Sequence, residues 1–121
     1  MTSNNHRFSR LAGSLLLAAG LVITAQASAA EDPVSAGKKI AFDRKKGNCL
    51  ACHQIEGGTL AGNIAPPLLA MKHRFPDKAK LRAQIWDARK NNPRTIMPPF
   101  GPHRILSEKE IDLVTEFIHS L

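Results

Sequence analysis

Hydrophobic side chains in residues 31–121 recur at the spacing of amphipathic helices. The first such pattern predicts a short helix from Ser35 to Arg44, with Ser35 as its N-cap. Gly47 follows shortly afterwards and ends the helical pattern. The face of this helix that we expect to be buried comprises Gly37, Ile40 and Ala41.

A second helical pattern extends from Lys78 to about Lys90. Asp77 directly precedes it and is a good N-cap, because its carboxylate can accept hydrogen bonds from the first free backbone N–H groups. The segment Asn91-Asn92-Pro93 ends the pattern, since proline cannot continue a helix. The predicted buried stripe comprises Leu81, Ile85 and Ala88.

The last helix has the clearest start signals in the chain. Ser107 and Glu110 are spaced as a capping box, and Leu106 and Ile111 are spaced as a hydrophobic staple around it. The pattern therefore predicts a helix that begins just after Ser107 and continues to the C-terminus. Its expected core side chains are Ile111, Val114, Phe117, Ile118 and Leu121.

Between these helices the pattern is irregular. Residues 57–67 are rich in Gly, Asn and Pro, which predicts a loop, and a short helical run from Leu68 to Arg74 follows. No alternating pattern of useful length predicts a strand, and no internal repeat is present. We therefore expect an all-α domain of three to five helices.

Residues 1–30 have the three parts of a secretory signal peptide. A basic start is followed by an apolar run over residues 11–25 and by small residues that predict cleavage after Ala29 or Ala30. An uncleaved membrane anchor is the alternative, although the apolar run is shorter than the ~20 residues of a spanning helix. We expect export, which leaves residues 31–121 as a single small domain.

The chain has seventeen Lys plus Arg and ten Asp plus Glu. Two of the arginines lie in the signal, so the mature domain carries a net charge of +5. Nucleic-acid binding is not indicated, because no recognised binding motif or aromatic platform accompanies the basic residues. One basic run either steers an acidic protein to this region or forms an ordinary solvated helix face. It comprises Lys38, Lys39, Arg44, Lys45 and Lys46.

The segment Cys49-Leu50-Ala51-Cys52-His53 is a CxxCH motif, which is the spacing that attaches a haem covalently. Two thiols at i and i+3 share one face of a helical turn, so Cys49 and Cys52 can both bond to one porphyrin, with His53 as the proximal iron ligand. A dithiol redox centre and half of a zinc site are the alternatives. They leave His53 unexplained or lack further ligands, since the chain has only two cysteines.

A covalent haem would also supply apolar volume that this domain lacks. The mature part contains few aromatic residues and no tyrosine. A domain of this size can bury only a modest core on its own. We therefore expect folding of the domain to depend on the haem.

The second axial ligand is expected from a proline-rich loop over residues 92–101. Prolines on both sides of Met97 stiffen the backbone, so its thioether can bind iron with little further loss of entropy. Methionine is more often a core residue, and Met71 lies in an apolar run where packing explains it. The remaining competitors are His73, His103 and His119, with His103 the runner-up because it lies close to this loop.

Several segments beyond CxxCH occur in a characteristic order. They are Asn63-Ile64-Ala65-Pro66-Pro67-Leu68, Phe75-Pro76-Asp77, Leu81-Arg82-Ala83-Gln84-Ile85-Trp86, Met97-Pro98-Pro99-Phe100-Gly101 and Ile105-Leu106-Ser107. Together they resemble the SoxX family of class I cytochromes c over nearly all of residues 33–121. The resemblance implies that the first and last helices cross, with Gly37 allowing close approach to the face of Phe117. It also implies that the Pro66 carbonyl orients His53, although a plain loop-stiffening role is an alternative.

One departure bears on that contact. SoxX proteins often have glycine where this chain has Ala65. If that glycine has a positive φ, alanine at this position implies a shifted loop and a changed Pro66 contact.

The same resemblance implies a function. SoxX proteins are the small cytochrome subunits of periplasmic SoxAX complexes, which couple thiosulfate oxidatively to a cysteine of the carrier SoxYZ. The partner would be a SoxA-like cytochrome that holds the catalytic centre, and this chain would accept the electrons and pass them to a downstream cytochrome. Iron bound on both sides leaves no open position for substrate, so we expect no independent catalysis. A free-standing electron carrier and a haem sensor are the alternatives.

Overall fold

The computed structural model describes residues 30–121, so residues 1–29 of the expected signal peptide lie outside the described residues. The described part is helical, and its one β-type pairing is an isolated parallel bridge between Ile55 and Leu68. This confirms the all-α prediction. The helices are α1 (Pro33–Phe42), α2 (Met71–Arg74), α3 (Lys78–Trp86) and α4 (Glu108–Ser120), with 3₁₀ turns at Cys49–Ala51 and Ala88–Lys90.

Helix α1 begins two residues before its predicted start. Asp32 is the N-cap, and its carboxylate accepts a hydrogen bond of 3.0 Å from the backbone N–H of Ser35. Pro33 occupies the first helical position, where its missing N–H removes no helix hydrogen bond. The prediction of Ser35 as N-cap was therefore wrong, because the Asp-Pro pair before it supplies a better start.

Helix α3 begins as predicted but ends early. Asp77 accepts a hydrogen bond of 2.9 Å from the backbone N–H of Ala79. At Asp87 the backbone is extended, with φ −154° and ψ 91°, and the Asp87 side chain caps the 3₁₀ turn Ala88–Lys90. The continuous helix predicted to about Lys90 is wrong there, because Asp87 and Arg89 form a local ion pair across the break. The predicted stripe is buried as expected, at Leu81, Ile85 and Ala88.

Helix α4 has the predicted capping box. The Ser107 hydroxyl accepts a hydrogen bond from the backbone N–H of Glu110, and the Glu110 carboxylate accepts one of 2.9 Å from the backbone N–H of Ser107. Both members of the predicted staple, Leu106 and Ile111, are buried in the core. The other buried apolar side chains of this helix are Val114, Phe117 and Ile118.

The core is centred on the crossing of α1 and α4. At Gly37 an added Cβ would lie 2.0 Å from the backbone carbonyl oxygen of Leu113, so a side chain there would separate the two helices. Phe42 of α1 meets Phe117 of α4 edge to face, with ring centres 5.7 Å apart and an interplanar angle of 83°. The predicted crossing at Gly37 is thus present.

The short run predicted at residues 68–74 is helical only over its second half. Ala70 has a positive φ of 51° and precedes α2. Met71 is 2% exposed, and its backbone N–H donates to the Leu121 carbonyl at 2.9 Å. This contact ties α2 to the end of α4. Among residues 30–121, no helix has the length and apolar character needed to cross a membrane.

We predict an acid-dependent loss of stability from Glu110. Its hydrogen bonds from Lys46 (2.5 Å) and Ser107 lower the pKa of the Glu110 carboxyl from 4.5 to about 2. Because the unfolded chain takes up this proton at higher pH than the folded chain, the contribution is complete above pH 4.5 and declines as pH falls toward 2. Glu110→Gln keeps a side-chain cap but removes the charge. It should lower the free energy of unfolding at neutral pH by on the order of 1 kcal/mol.

Denaturant unfolding of the mature protein between neutral pH and the acid limit measures this difference. Glu116→Gln is the control, because it removes the α4 ion pair with Lys78 but no cap. This control should keep the pH-dependent contribution of Glu110 to the free energy of unfolding. An identical pH dependence in wild type and Glu110→Gln would contradict the prediction.

Candidate haem site

The CxxCH motif forms one tight turn, residues 48–53, which we call the attachment turn. It begins at Asn48, whose left-handed backbone (φ 47°) is one that asparagine tolerates. The backbone N–H groups of Cys52 and His53 both donate to the Cys49 carbonyl, at 3.2 and 2.9 Å. This hydrogen bonding brings two thiols and an imidazole together on a single turn.

Both thiols are free and half-buried. Burial raises the pKa of the Cys49 thiol to about 11, so it is protonated at neutral pH. Nucleophilic dithiol centres need a thiolate and hence a lowered pKa, which this turn does not provide for Cys49. Within residues 30–121 no group of three or more Cys, His, Asp or Glu side chains is placed to hold a metal ion, so the zinc alternative lacks its further ligands there.

The predicted loop, residues 57–67, is held against the attachment turn by backbone hydrogen bonds. Gly62 N–H donates to the Leu50 carbonyl at 2.7 Å, and Ala65 N–H donates to the Cys52 carbonyl at 3.1 Å. An added Cβ at Gly62 would lie 2.1 Å from the backbone carbonyl oxygen of Ala51. Only glycine therefore allows the loop to lie this close to the turn.

His53 is oriented by the same loop. Its Nδ1 lies 2.7 Å from the Pro66 carbonyl oxygen. A carbonyl can only accept, so Nδ1 carries the proton and the Nε2 lone pair is left available to bind a metal. The neighbouring Pro67 carbonyl is held as well, because it accepts a hydrogen bond of 2.8 Å from the Arg74 guanidinium.

The alanine that departs from the SoxX pattern fits this backbone. Among the described residues, positive φ angles occur at Asn48, Gly57, Leu60, Ala70 and Arg104. Ala65 is not one of them, so an ordinary L residue is unstrained at that position. The His53–Pro66 hydrogen bond forms with alanine in place.

Residues 92–101 form the predicted irregular segment, which we call the methionine loop. Met97 is half-buried and packs against the edge of the core, and its backbone N–H donates to the Thr95 hydroxyl at 3.1 Å. At the end of the loop, Gly101 N–H donates to the Trp86 carbonyl at 3.1 Å. The thioether is thus carried by a segment that is fixed at the C-terminal end of α3.

The competing ligands differ in their surroundings. Met71 is buried, and its sulfur lies 3.4 Å from the Arg74 guanidinium, so core packing accounts for it. Nε2 of His119 lies 3.1 Å from the Phe75 carbonyl oxygen and is occupied by that contact. His73 and His103 are both exposed. His103 follows the methionine loop directly and stays the alternative to Met97.

Exposed apolar side chains follow the attachment turn in the sequence, mostly in the loop of residues 57–67 and in the methionine loop. Leu60 is 89% exposed, Ile64 66%, Leu69 58% and Ile96 73%. Burial of such side chains under an apolar plate is favourable by roughly 25 cal/mol per Å² of covered surface. One surface cleft of about 550 Å³ borders the loop of residues 57–67, and another of about 560 Å³ lies at the start of α3. The lining of these clefts includes neither the two cysteines nor His53 nor Met97. The donor set and these apolar loops fit a covalently held haem.

Sequence reasoning missed the contacts that hold these loops in place. The close approach at Gly62, the Arg74–Pro67 hydrogen bond and the contact of Gly101 with Trp86 were all unforeseen. Each joins residues that are seven or more positions apart. A single glycine or arginine in a loop belongs to no sequence pattern that predicts such a partner. The proline-rich composition of the loops was the only available signal.

Comparison with known proteins agrees with this geometry. The family model for cytochrome c matches residues 34–121. Among solved structures, the crystal structure of SoxXA from P. pantotrophus is similar, with a TM-score of 0.65 and 28% sequence identity over 77% of this chain and 83% of that chain.

A curated protein from Aquifex aeolicus (strain VF5), named an uncharacterized lipoprotein, is 33% identical over 76 residues. That match covers 62% of this chain but only 37% of the relative's length. The family model spans most of the described chain, and the fold and CxxCH motif agree with it. The chain therefore belongs to the cytochrome c family, and is a SoxX-like, class I member of it.

Proposed function

We propose that this chain is the electron-accepting haem c subunit of a SoxAX-type complex, which couples thiosulfate oxidatively to a cysteine of the carrier SoxYZ. The observation that carries the proposal is the likeness to SoxXA, at 28% identity over 77% of the chain. Its partner would be a SoxA-like cytochrome subunit in a heterodimer.

The proposed reaction determines what the subunit must do. A sulfur–sulfur bond forms between thiosulfate and the carrier thiol, the thiol proton leaves to solvent, and two electrons are released. A single haem accepts one electron at a time, and one CxxCH motif provides for one haem. The subunit must therefore take up electrons in succession and pass each one to a downstream cytochrome.

We propose the following roles for the site residues. Cys49 and Cys52 would hold the haem covalently, and His53 Nε2 and the Met97 sulfur would bind its iron. Pro66 keeps His53 in the required tautomer through the 2.7 Å hydrogen bond. When bound, the haem supplies a reversible one-electron centre, and a thioether ligand raises its potential relative to two histidines.

These roles also indicate what the chain does not do. With His53 and Met97 both engaged, the subunit offers thiosulfate no free coordination position. We place sulfur chemistry on the SoxA-like partner and make this chain a non-catalytic part of an L-cysteine S-thiosulfotransferase complex. We further propose that residues 1–30 direct export and that residues 31–121 act in the periplasm.

A free-standing periplasmic electron carrier is the second candidate. Arg44 and Lys45 are exposed and lie shortly before the attachment turn in the sequence, where they suit docking of an acidic redox partner. The other members of the basic run are engaged within the chain. Lys39 pairs with Glu31, Lys46 pairs with Glu110, and Lys38 lies 5.4 Å from the centre of the Phe42 ring.

Reconstitution separates these two candidates. We expect the haem of the mature holoprotein to be reduced when purified SoxA, SoxYZ and thiosulfate are all present, as measured by absorbance. Omitting SoxA, or blocking the carrier cysteine, should abolish the reduction. A free carrier would remain a monomer that does not co-purify with SoxA, and reduction independent of SoxA would refute the subunit assignment.

Substitution of either haem cysteine tests the covalent attachment. Cys49→Ser or Cys52→Ser should lower the yield of holoprotein roughly tenfold or more, because folding and haem retention are coupled. Intact mass spectrometry of the exported protein measures covalent haem. Ala51→Ser is the matched control, since this exposed residue lies between the cysteines and should keep full haem content. Normal covalent haem in either cysteine variant would disprove the proposed thioethers.

Substitution of Met97 tests the sixth ligand. Met97→Ala should remove the sulfur-to-iron absorption band and lower the reduction potential, because the softer ligand that favours Fe(II) is lost. Met71→Leu is the control, since it removes a buried methionine of the core and should leave both unchanged. A sulfur-to-iron band that persists in Met97→Ala would move the ligand role to Met71, and a spectrum without that band in both wild type and variant would move it to His103. Rapid carbon monoxide binding by the reduced wild type would instead favour a haem sensor.

A further inference from the structure

We propose that Trp86 is a positioning residue for the methionine loop and that Arg82 holds it in that role. The inference rests on the proposed function, in which Met97 is an axial ligand of the haem iron. In this proposal Trp86, at the end of α3, fixes the backbone of the loop that carries the Met97 thioether. Neither residue has to touch the haem for this purpose.

The first step is the contact between Trp86 and Gly101. An added Cβ at Gly101 would lie 2.1 Å from Cδ2 and 2.3 Å from Cε2 and Cε3 of the indole, so the glycine backbone lies directly against the ring. The backbones are also joined, because Gly101 N–H donates to the Trp86 carbonyl at 3.1 Å. Ring packing and a hydrogen bond together fix the end of the loop four residues after Met97.

The second step is the contact between Arg82 and Trp86. The guanidinium carbon lies 5.6 Å from the centre of the Trp86 ring, within the range of a cation–π interaction. Its Nε donates to Asp112 at 2.5 Å, and its terminal nitrogen donates to Glu108. Both carboxylates lie on α4. Helix α4 therefore holds the Arg82 side chain, and Arg82 in turn holds the Trp86 indole.

The third step concerns the hydrogen bonds around Met97. The hydrogen bonds given by residues 93–99 in the described structure are local, such as Thr95 N–H to the Asn92 carbonyl at 3.0 Å and Met97 N–H to Thr95. Ile96 is 73% exposed and contributes little packing. Met97 packs at the edge of the core and Phe100 is buried, and the contact of Trp86 with Gly101 ties this end of the loop to α3.

A loop with fewer restraints must lose more conformational entropy when its methionine binds iron. Replacing Trp86 should therefore weaken Met97 as a ligand and let an added base displace it more easily. The expected change is about tenfold in the apparent affinity for imidazole, which corresponds to the ordering of roughly one residue. Trp86→Phe, which keeps a smaller ring against Gly101, should recover part of the loss.

The test uses the ferric holoprotein and two measurements. One is imidazole binding, followed through the sulfur-to-iron band, and the other is hydrogen exchange at the Ile96 and Met97 amides. We expect Trp86→Leu to bind imidazole about tenfold more tightly and to exchange faster at both amides, with Arg82→Met changed in the same direction. Arg82→Met keeps the indole, so it remains informative if Trp86→Leu folds poorly.

Lys78→Met is the matched control. It breaks another ion pair between α3 and α4, from Lys78 to Glu116 at 2.8 Å, but Lys78 and Trp86 lie at opposite ends of α3. Equal behaviour of Arg82→Met, Trp86→Leu and this control would overturn the inference. If wild type lacks the sulfur-to-iron band, the assignment of Met97 as ligand fails. Hydrogen exchange then still decides the positioning role, because it reports on the loop without requiring that bond.

Discussion

The hydrogen bond between His53 and the Pro66 carbonyl is the contact on which the candidate site depends. It fixes the imidazole tautomer, and it can form only because the loop of residues 57–67 lies against the attachment turn. That closeness in turn requires Gly62, whose α-carbon leaves no room for a side chain beside the Ala51 carbonyl. The hydrogen bond that orients His53 therefore depends on the absence of a Cβ at Gly62.

Glycine also allows close packing elsewhere in the structure. Gly37 lets α1 approach the backbone of α4, and Gly101 lets the methionine loop lie on the indole of Trp86. Helix α4 is common to both arrangements, since it crosses α1 and its carboxylates hold Arg82 beside that indole. The best-capped helix of the chain therefore organises the loops around it, although it provides no proposed ligand itself.

Much of the fold could be predicted from sequence because local signals specified it. The capping box at Ser107 and the cap at Asp77 are interactions between near neighbours, and both helices begin where those signals placed them. Errors arose where two local signals competed, as at the start of α1, where Asp32 and Pro33 displaced Ser35. The motif Cys49-Leu50-Ala51-Cys52-His53 predicts covalent haem attachment from its spacing alone. The contacts of Gly62 and Gly101 depend on residues distant along the chain and could not be predicted.

The distribution of apolar side chains links folding to the proposed cofactor. Leu60, Ile64 and Ile96 are each more than half exposed, and all lie in the two loops that would bound the haem. A small domain gains little by leaving such side chains in water, because its own core is already limited. Covering them with a covalently held porphyrin would add the buried area that the few aromatic residues do not supply. The cofactor would then stabilise the loops that orient its ligands, so folding of the site and its electron-transfer function would be coupled.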